Sequence, residues 1–195
     1  MARTQPQELH PRAAGSGLRL GLVADTHDDL VDWAAISRQI AASLEGVDAI
    51  LHCGDLCTNA SLAALEQIAP VFAVRSAADP PARPPQLVDG ARVFEGEGVA
   101  VGLVNSLGAP GIGGEADETI RFAGRSARDA ALQLFGRQID VAVFGGTHVS
   151  FVGAVDGILF VNPGSPSLAR ERTLAILTIR SGSIGCRPVR LDPLA

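Results

Sequence analysis

The 195-residue chain has no lysine and no tyrosine, one tryptophan, one methionine and three cysteines. All 16 basic side chains are arginines, against 21 acids, for a formal charge of -5. That balance gives no general electrostatic attraction to nucleic acid or to an anionic membrane. No apolar run approaches the roughly 20 residues that span a bilayer. Met1 to Gly17 is polar, broken by Pro6, Pro11 and Gly15, and has no apolar h-region. It reads as a floppy leader (1–17) to a single domain (18–195), not as a signal peptide. Cys53, Cys57 and Cys186 are odd in number. With no secretion signal they argue against a disulfide framework and point to the cytoplasm. Cys53 and Cys57 lack the second pair of a zinc ribbon and read as small buried or half-buried side chains that bind no metal.

What is present is enough apolar material for a core: 47% hydrophobic against 19% charged. The 22 glycines and 12 prolines mark many turns and argue against a helical bundle. Leu18 to Ala24 reads as a strand. Leu30, Trp33, Ile36, Ile40 and Leu44 then recur at helical spacing, with Asp28 or Asp29 as cap and Gly46 as stop. Ala49 to His52 is a second strand. Leu62, Leu65 and Ile68 mark a short helix capped by Thr58 or Asn59. Val71 to Arg75 is a third strand. This β-α-β-α-β run predicts a parallel sheet with right-handed crossovers.

Asp79 to Pro85 is proline-rich loop, and Ala91 to Phe94 and Val99 to Val104 are strands. Gly108 to Gly114 is a second loop. Glu115 to Phe135 reads as one long alanine-rich helix. Five strands follow: Val141 to Phe144, Phe151 to Val155, Ile158 to Val161, Leu174 to Ile179 and Ile184 to Val189. Asp156-Gly157 is a hairpin signal. The expected class is mixed α/β, two sheets with helices on their outer faces.

Polar residues gather where the predicted strands end, the place at which open α/β sheets take ligands. Asp25-Thr26-His27 closes the first strand, Gly54-Asp55 the second, and Arg75-Ser76-Ala77-Ala78-Asp79 the third. Gly145-Gly146-Thr147-His148 follows the strand at Val141. Carboxylates and imidazoles suit Mn, Fe, Co or Zn. The glycines beside Asp55 and His148 allow sharp turns. Each piece alone is a common turn; their order and placement single them out. Arg75 is open to two readings, a phosphate contact or a partner for an acid such as Asp79. His52 reads as a satisfied core or outer-sphere histidine.

Taken together, these segments resemble the calcineurin-like metallophosphoesterases, and within them the small bacterial and archaeal phosphodiesterase group that includes YfcE. The likeness is carried by Val23-Ala24-Asp25-Thr26-His27, Val47 to Leu56, Val71 to Arg75, Gly145 to His148 and Asn162-Pro163-Gly164-Ser165-Pro166-Ser167-Leu168. It implies a four-layer α/β/β/α sandwich and a two-metal site. By resemblance Asp25, His27, Asp55 and His148 are the first set of metal ligands, and all four are present. The second ion would share Asp55 and draw on positions that map to Ala77, Asn105 and Gly146, none of which carries the expected ligand. One divalent ion is therefore expected, Mn, Fe, Zn or Co.

The resemblance implies a phosphodiesterase-like hydrolase of small phosphate esters, with impaired two-metal chemistry. Its expected catalytic residues are Asp55, His148, Asn105 and Arg75. Asp79 matches the motif-ending aspartate and is expected to hold a neighbouring side chain. Asn162 to Ser165 is expected to be architectural. The alternative is a catalytically inactive member of the fold serving as a protein-binding or ligand-sensing module, as the family's retromer subunit resembles. Its partner would then be another protein or a second copy of the chain.

Overall fold

The computed structural model describes residues 5–79, 86–108, 112–114, 120–122 and 124–193. In chain order these contain β1 (Gln7–Glu8), β2 (Leu18–Val23), α1 (Trp33–Ser43), β3 (Ala49–His52), α2 (Ala60–Glu66) and β4 (Val71–Val74). Next come β5 (Leu87–Val88), β6 (Arg92–Gly96), β7 (Val99–Leu103), β8 (Ile112–Gly114), β9 (Ile120–Phe122) and α3 (Ala127–Phe135). The rest are β10 (Val141–Val143), β11 (Ser150–Val155), β12 (Ile158–Pro163), β13 (Thr173–Arg180) and β14 (Ser183–Arg190).

Two six-stranded mixed sheets carry the architecture, ordered β14-β13-β2-β3-β4-β5 and β1-β6-β7-β10-β12-β11. The β2-α1-β3-α2-β4 run is parallel, as its alternating pattern predicts. Side-chain alternation sorts each strand between two cores. From β2, Leu20 and Leu22 face the space between the sheets, where Leu51, Val101, Val143, Val161 and Leu177 meet them. Val23 faces outward, with Ile50 and Ile176, onto Ile36, Ile40 and Leu65 of the helical layer. Beneath the other sheet, Ala130, Ala131 and Phe135 of α3 cover Val93, Ala142 and Phe160. The order of layers is α/β/β/α. Asp156 (φ 50°) and Gly157 (φ 77°) form the tight turn between β11 and β12.

Several local expectations change. Gln7–Glu8, within the stretch read as a floppy leader, pairs parallel with β6, and Leu9 is buried behind it. Two residues of ladder and one leucine are too little signal to stand out from a polar sequence. Of the long helix expected from Glu115 to Phe135, the described residues show Ala127–Phe135 as helix. The Ser126 side chain accepts from the Asp129 amide and starts it there, while Ile120–Phe122 pairs antiparallel with Ile112–Gly114. The rest of the expected helix, 115–119 and 123, lies outside the described residues, as does 80–85 of the expected proline loop. The cap of α1 is Asp32, not Asp28 or Asp29, and Leu30 precedes the helix at 63% exposure. Asp28 instead caps the start of α2, accepting from the Thr58 and Ser61 amides at 2.8 Å each. Among the described residues, no helix is long and apolar enough to cross a membrane.

Candidate metal centre

Parallel pairing sets the C-terminal ends of β2 and β3 side by side, and their loops are stitched together. Asp25 N donates to Gly54 O at 3.1 Å, His27 N to Asp55 O at 3.0 Å and Asp28 N to Leu56 O at 3.1 Å. From the second sheet, the loop after β10 reaches across. Gly146 N donates to both Asp25 carboxylate oxygens at 2.9 and 3.0 Å, and His148 N to Oδ2 at 3.3 Å.

Asp25, His27, Asp55 and His148 all have left-handed backbone, φ 53°, 40°, 58° and 59°, as does Cys57 at 72°. The other described non-glycine residues with positive φ, Glu97, Asp156 and Ser181, each precede a glycine of positive φ in a two-residue turn. The strand-end residues have no such turn to account for them. Conformations of this kind cost about 1–3 kcal/mol each and persist where surrounding contacts enforce them. Those contacts are visible. The Ser165 and Ser167 hydroxyls donate to the Asp25 carbonyl at 2.7 and 3.1 Å. Asp79 is buried and accepts from the amides of Asp55, Leu56, Cys57 and Ser76 at 2.6 to 3.2 Å. Asp79 thus shapes the loop through backbone amides, not through a neighbouring side chain.

The four expected ligands meet as two pairs. His27 Nε2 lies 3.2 Å from His148 Nε2. Asp25, fully buried, sits against the Asp55 carboxylate. Burial pushes the Asp25 carboxyl up to about 7, and Asp55 adds to the rise, although the Gly146 and His148 amides favour the ionised form. A divalent cation against both carboxylates would remove that penalty, and two imidazoles beside them complete a donor set such an ion accepts. The His148 imidazole is held below its ordinary range by burial and by His27. His52 is buried and depressed to about 4 by desolvation. Its Nδ1 accepts from Gly54 N at 3.0 Å, an outer, structural role.

The positions expected to have lost a second ion behave differently from one another. Ala77 and Gly146 offer no side-chain donor. Asn105 Nδ2 donates to Cys53 O at 2.8 Å and to Asp55 Oδ2 at 3.2 Å. Arg75 Nε pairs with Asp89 Oδ1 at 2.6 Å, and not with Asp79, whose oxygens are taken by amides. Asp89 lies just past β5, a strand the sequence does not announce.

The cysteines are free. Cys57 is not inert packing, however. Its sulfur lies 3.2 Å from His27 Nδ1, and burial pushes its thiol up to about 12. Among the described residues, His27, Asp29 and Cys57 are the group whose ligand atoms all lie within 4.8 Å of one another. The signal available in the sequence was that Cys57 sits two residues past Asp55, as His27 sits two past Asp25.

The profile of the calcineurin-like phosphoesterase superfamily domain matches residues 18–182. A probable metallophosphoesterase of Methanothermobacter thermautotrophicus is 30% identical over 164 residues, 83% of this chain and 84% of that one. Another from Methanocaldococcus jannaschii is 27% identical over 172 residues, 83% of this chain and 79% of its own. The structure of wild-type Vps29 from Entamoeba histolytica complexed with zinc aligns at a TM-score of 0.59 and 18% identity, covering 89% of this chain and 99% of that one. With the family profile covering residues 18–182 and a relative 30% identical over most of both chains, the chain belongs to the calcineurin-like phosphoesterase superfamily.

Proposed function

We propose that the protein is a metal-dependent phosphoesterase of the phosphodiesterase type. Asp25, His27, Asp55 and His148 form a seat for one divalent ion, Mn, Fe, Zn or Co, and the enzyme turns over slowly. The observation that carries this reading is the cluster of strained strand ends. Four residues of ligand type, from three loops and both sheets, share a left-handed backbone that the rest of the fold enforces. The zinc complex of the Vps29 neighbour supports a metal on this fold.

When bound, the ion supplies a Lewis acid for a phosphoryl oxygen. The chain's own residues do the rest. The Gly146 and His148 amides orient Asp25. Asn105 holds one oxygen of Asp55. Two carboxylates cancel the charge of one divalent ion, so the site is near neutral, whereas a second ion would make it attract phosphate. Because phosphoryl transfer depends mainly on electrostatic stabilisation, the loss in rate is large. Ala78, beside the vacated Ala77, offers no side-chain proton to a leaving group. Arg75, engaged with Asp89, is left out of the reaction. Three free thiols suit a reducing compartment, and we place the protein in the cytoplasm.

The second reading is an inactive member of the fold with a protein partner. Its support is the same Asn105 contact, which gives Asp55 an amide where the family pattern has a second ion.

The test is titration of the metal-stripped chain with Mn2+, followed by hydrolysis of bis(4-nitrophenyl) phosphate. One Mn2+ per chain, lost in Asp25→Asn and His148→Ala, together with slow turnover, is the expected result. One Mn2+ without turnover supports the inactive reading. Two ions, or retention of Mn2+ in both variants, overturns the ligand assignment.

A further inference from the structure

The His27 ring is used at both nitrogens. Nε2 faces His148, and Nδ1 faces Cys57 Sγ, each at 3.2 Å. The second contact is part of the trio of His27, Asp29 and Cys57, with ligand atoms within 4.8 Å of one another. This trio is built rather than incidental. Asp29 and His27 lie on the loop after β2, Cys57 on the loop after β3, and the two loops are joined by the His27–Asp55 and Asp28–Leu56 backbone bonds. Thr58 N and Oγ1 donate to Asp28 at 2.8 and 2.7 Å, tying the chain on both sides of the trio. Cys57 N is held by Asp79 at 3.2 Å.

We infer that His27 Nδ1, Cys57 Sγ and the Asp29 carboxylate form a second site, adjoining the carboxylate seat, for a soft divalent cation of the zinc type. This goes beyond the phosphoesterase reading, since Asp29 and Cys57 take no part in it. One nitrogen, one sulfur and one oxygen ligand are the set that zinc and cobalt accept in tetrahedral sites, and thiolate disfavours manganese and magnesium. Binding releases the Cys57 proton to solvent, and the resulting thiolate and the Asp29 carboxylate balance the two charges of the ion. Asp29 is exposed, and His27 and Cys57 are half-buried, so the ion has an entry path and a fourth position open to water.

The site differs in place and chemistry from the vacated family positions at Ala77, Asn105 and Gly146. It shares His27 with the carboxylate-rich seat. With both seats filled, His27 bridges the two ions as imidazolate, its ring proton being released to solvent like that of Cys57; Co2+ fills both seats in this way, while Mn2+ fills only the carboxylate one.

Co2+ titration of the reduced full-length chain tests this, read by the sulfur-to-cobalt charge-transfer band in the near ultraviolet and by metal count. The wild type is expected to show the band and bind two Co2+. Cys57→Ser is expected to lose the band and one Co2+, and Cys186→Ser to keep both. Asp29→Asn, a change at an exposed side chain, is expected to weaken the band-forming step at least tenfold. It also serves if Cys57→Ser fails to fold. Asp55→Asn is expected to keep the band and lose the other ion. No band in the wild type, a band that survives Cys57→Ser, or an unchanged band-forming affinity in Asp29→Asn overturns the inference. A band with no loss of Co2+ in Asp55→Asn leaves the inference standing and removes the carboxylate seat of the proposed function instead.

Discussion

Asn105 turns its amide nitrogen, not its oxygen, toward Asp55. Nδ2 is 3.2 Å from Asp55 Oδ2 and 2.8 Å from the Cys53 carbonyl. Both partners are acceptors, so the orientation follows from chemistry. Asn105 is therefore a donor that positions a carboxylate rather than a weak oxygen ligand. Asn105→Ala leaves the buried Cys53 carbonyl without this partner and is expected to cost about 1–2 kcal/mol. Urea unfolding of the metal-free chain measures it, and an unshifted midpoint would show that the bond contributes nothing.

Restoring the family pattern is the test of what limits turnover. Ala77→Asn, Asn105→His and Gly146→His together are expected to add a second Mn2+ and raise the rate at least tenfold, about 1.4 kcal/mol of barrier. Single changes are expected to do little. Space at Gly146 is adequate, since an added Cβ would come no closer than 3.6 Å to its neighbours, but φ is +80°. A histidine there therefore carries a backbone cost on the order of 1 kcal/mol. A folded triple variant with two ions and unchanged rate would place the defect elsewhere, with Ala78 the next position to alter.

Asp25 and His52 pull the pH dependence of the metal-free protein in opposite directions. Asp25 is raised from 3.8 to about 7, so the folded state holds its proton more tightly than the unfolded chain. Its contribution to stability is full below about 4 and is lost as pH rises through 7. His52 is lowered from 6.5 to about 4, so its contribution is full above 6.5 and is lost as pH falls through 4. Between about 4 and 6.5 the two offset each other. Asp25→Asn removes one arm. Relative to that variant, the wild type is expected to lose about 1–4 kcal/mol between pH 4 and pH 8. Thermal unfolding of both chains in chelator measures the difference, and parallel profiles would sink the assignment. Saturating Mn2+ is expected to abolish the wild-type loss, because the ion compensates the ionised carboxylate.

Asp79 accepts four backbone amides and is buried. Asp79→Ala is expected to cost about 2–4 kcal/mol. It should also release the strained backbone at Asp55 and Cys57, so Mn2+ and Co2+ both bind more weakly even under conditions where the variant is folded. Circular dichroism with urea, set beside metal titration, separates the two effects. Wild-type metal affinity in a destabilised Asp79→Ala chain would show that the clamp serves the fold alone.

Near-neighbour patterns carried most of the fold. The helical spacing of Ile36 and Ile40, the period-two alternation of Leu20 and Leu22 and the Asp156-Gly157 turn are local preferences. Each is readable without knowing what lies across the sheet. The strand-end motifs are local in the same sense, and the order of Asp25, His27, Asp55 and His148 along the chain was enough to mark one region. Tertiary structure decided what those residues touch. Ser165 supports the carbonyl of Asp25 from 140 positions away, and Asn105 reaches Asp55 across 50. Cys57 meets His27, and Arg75 meets Asp89, only because strand order sets particular loops side by side. A helix or a tight turn is encoded over a few residues of backbone preference. A side-chain contact depends on the docking of whole sheets, which no short stretch of the chain contains.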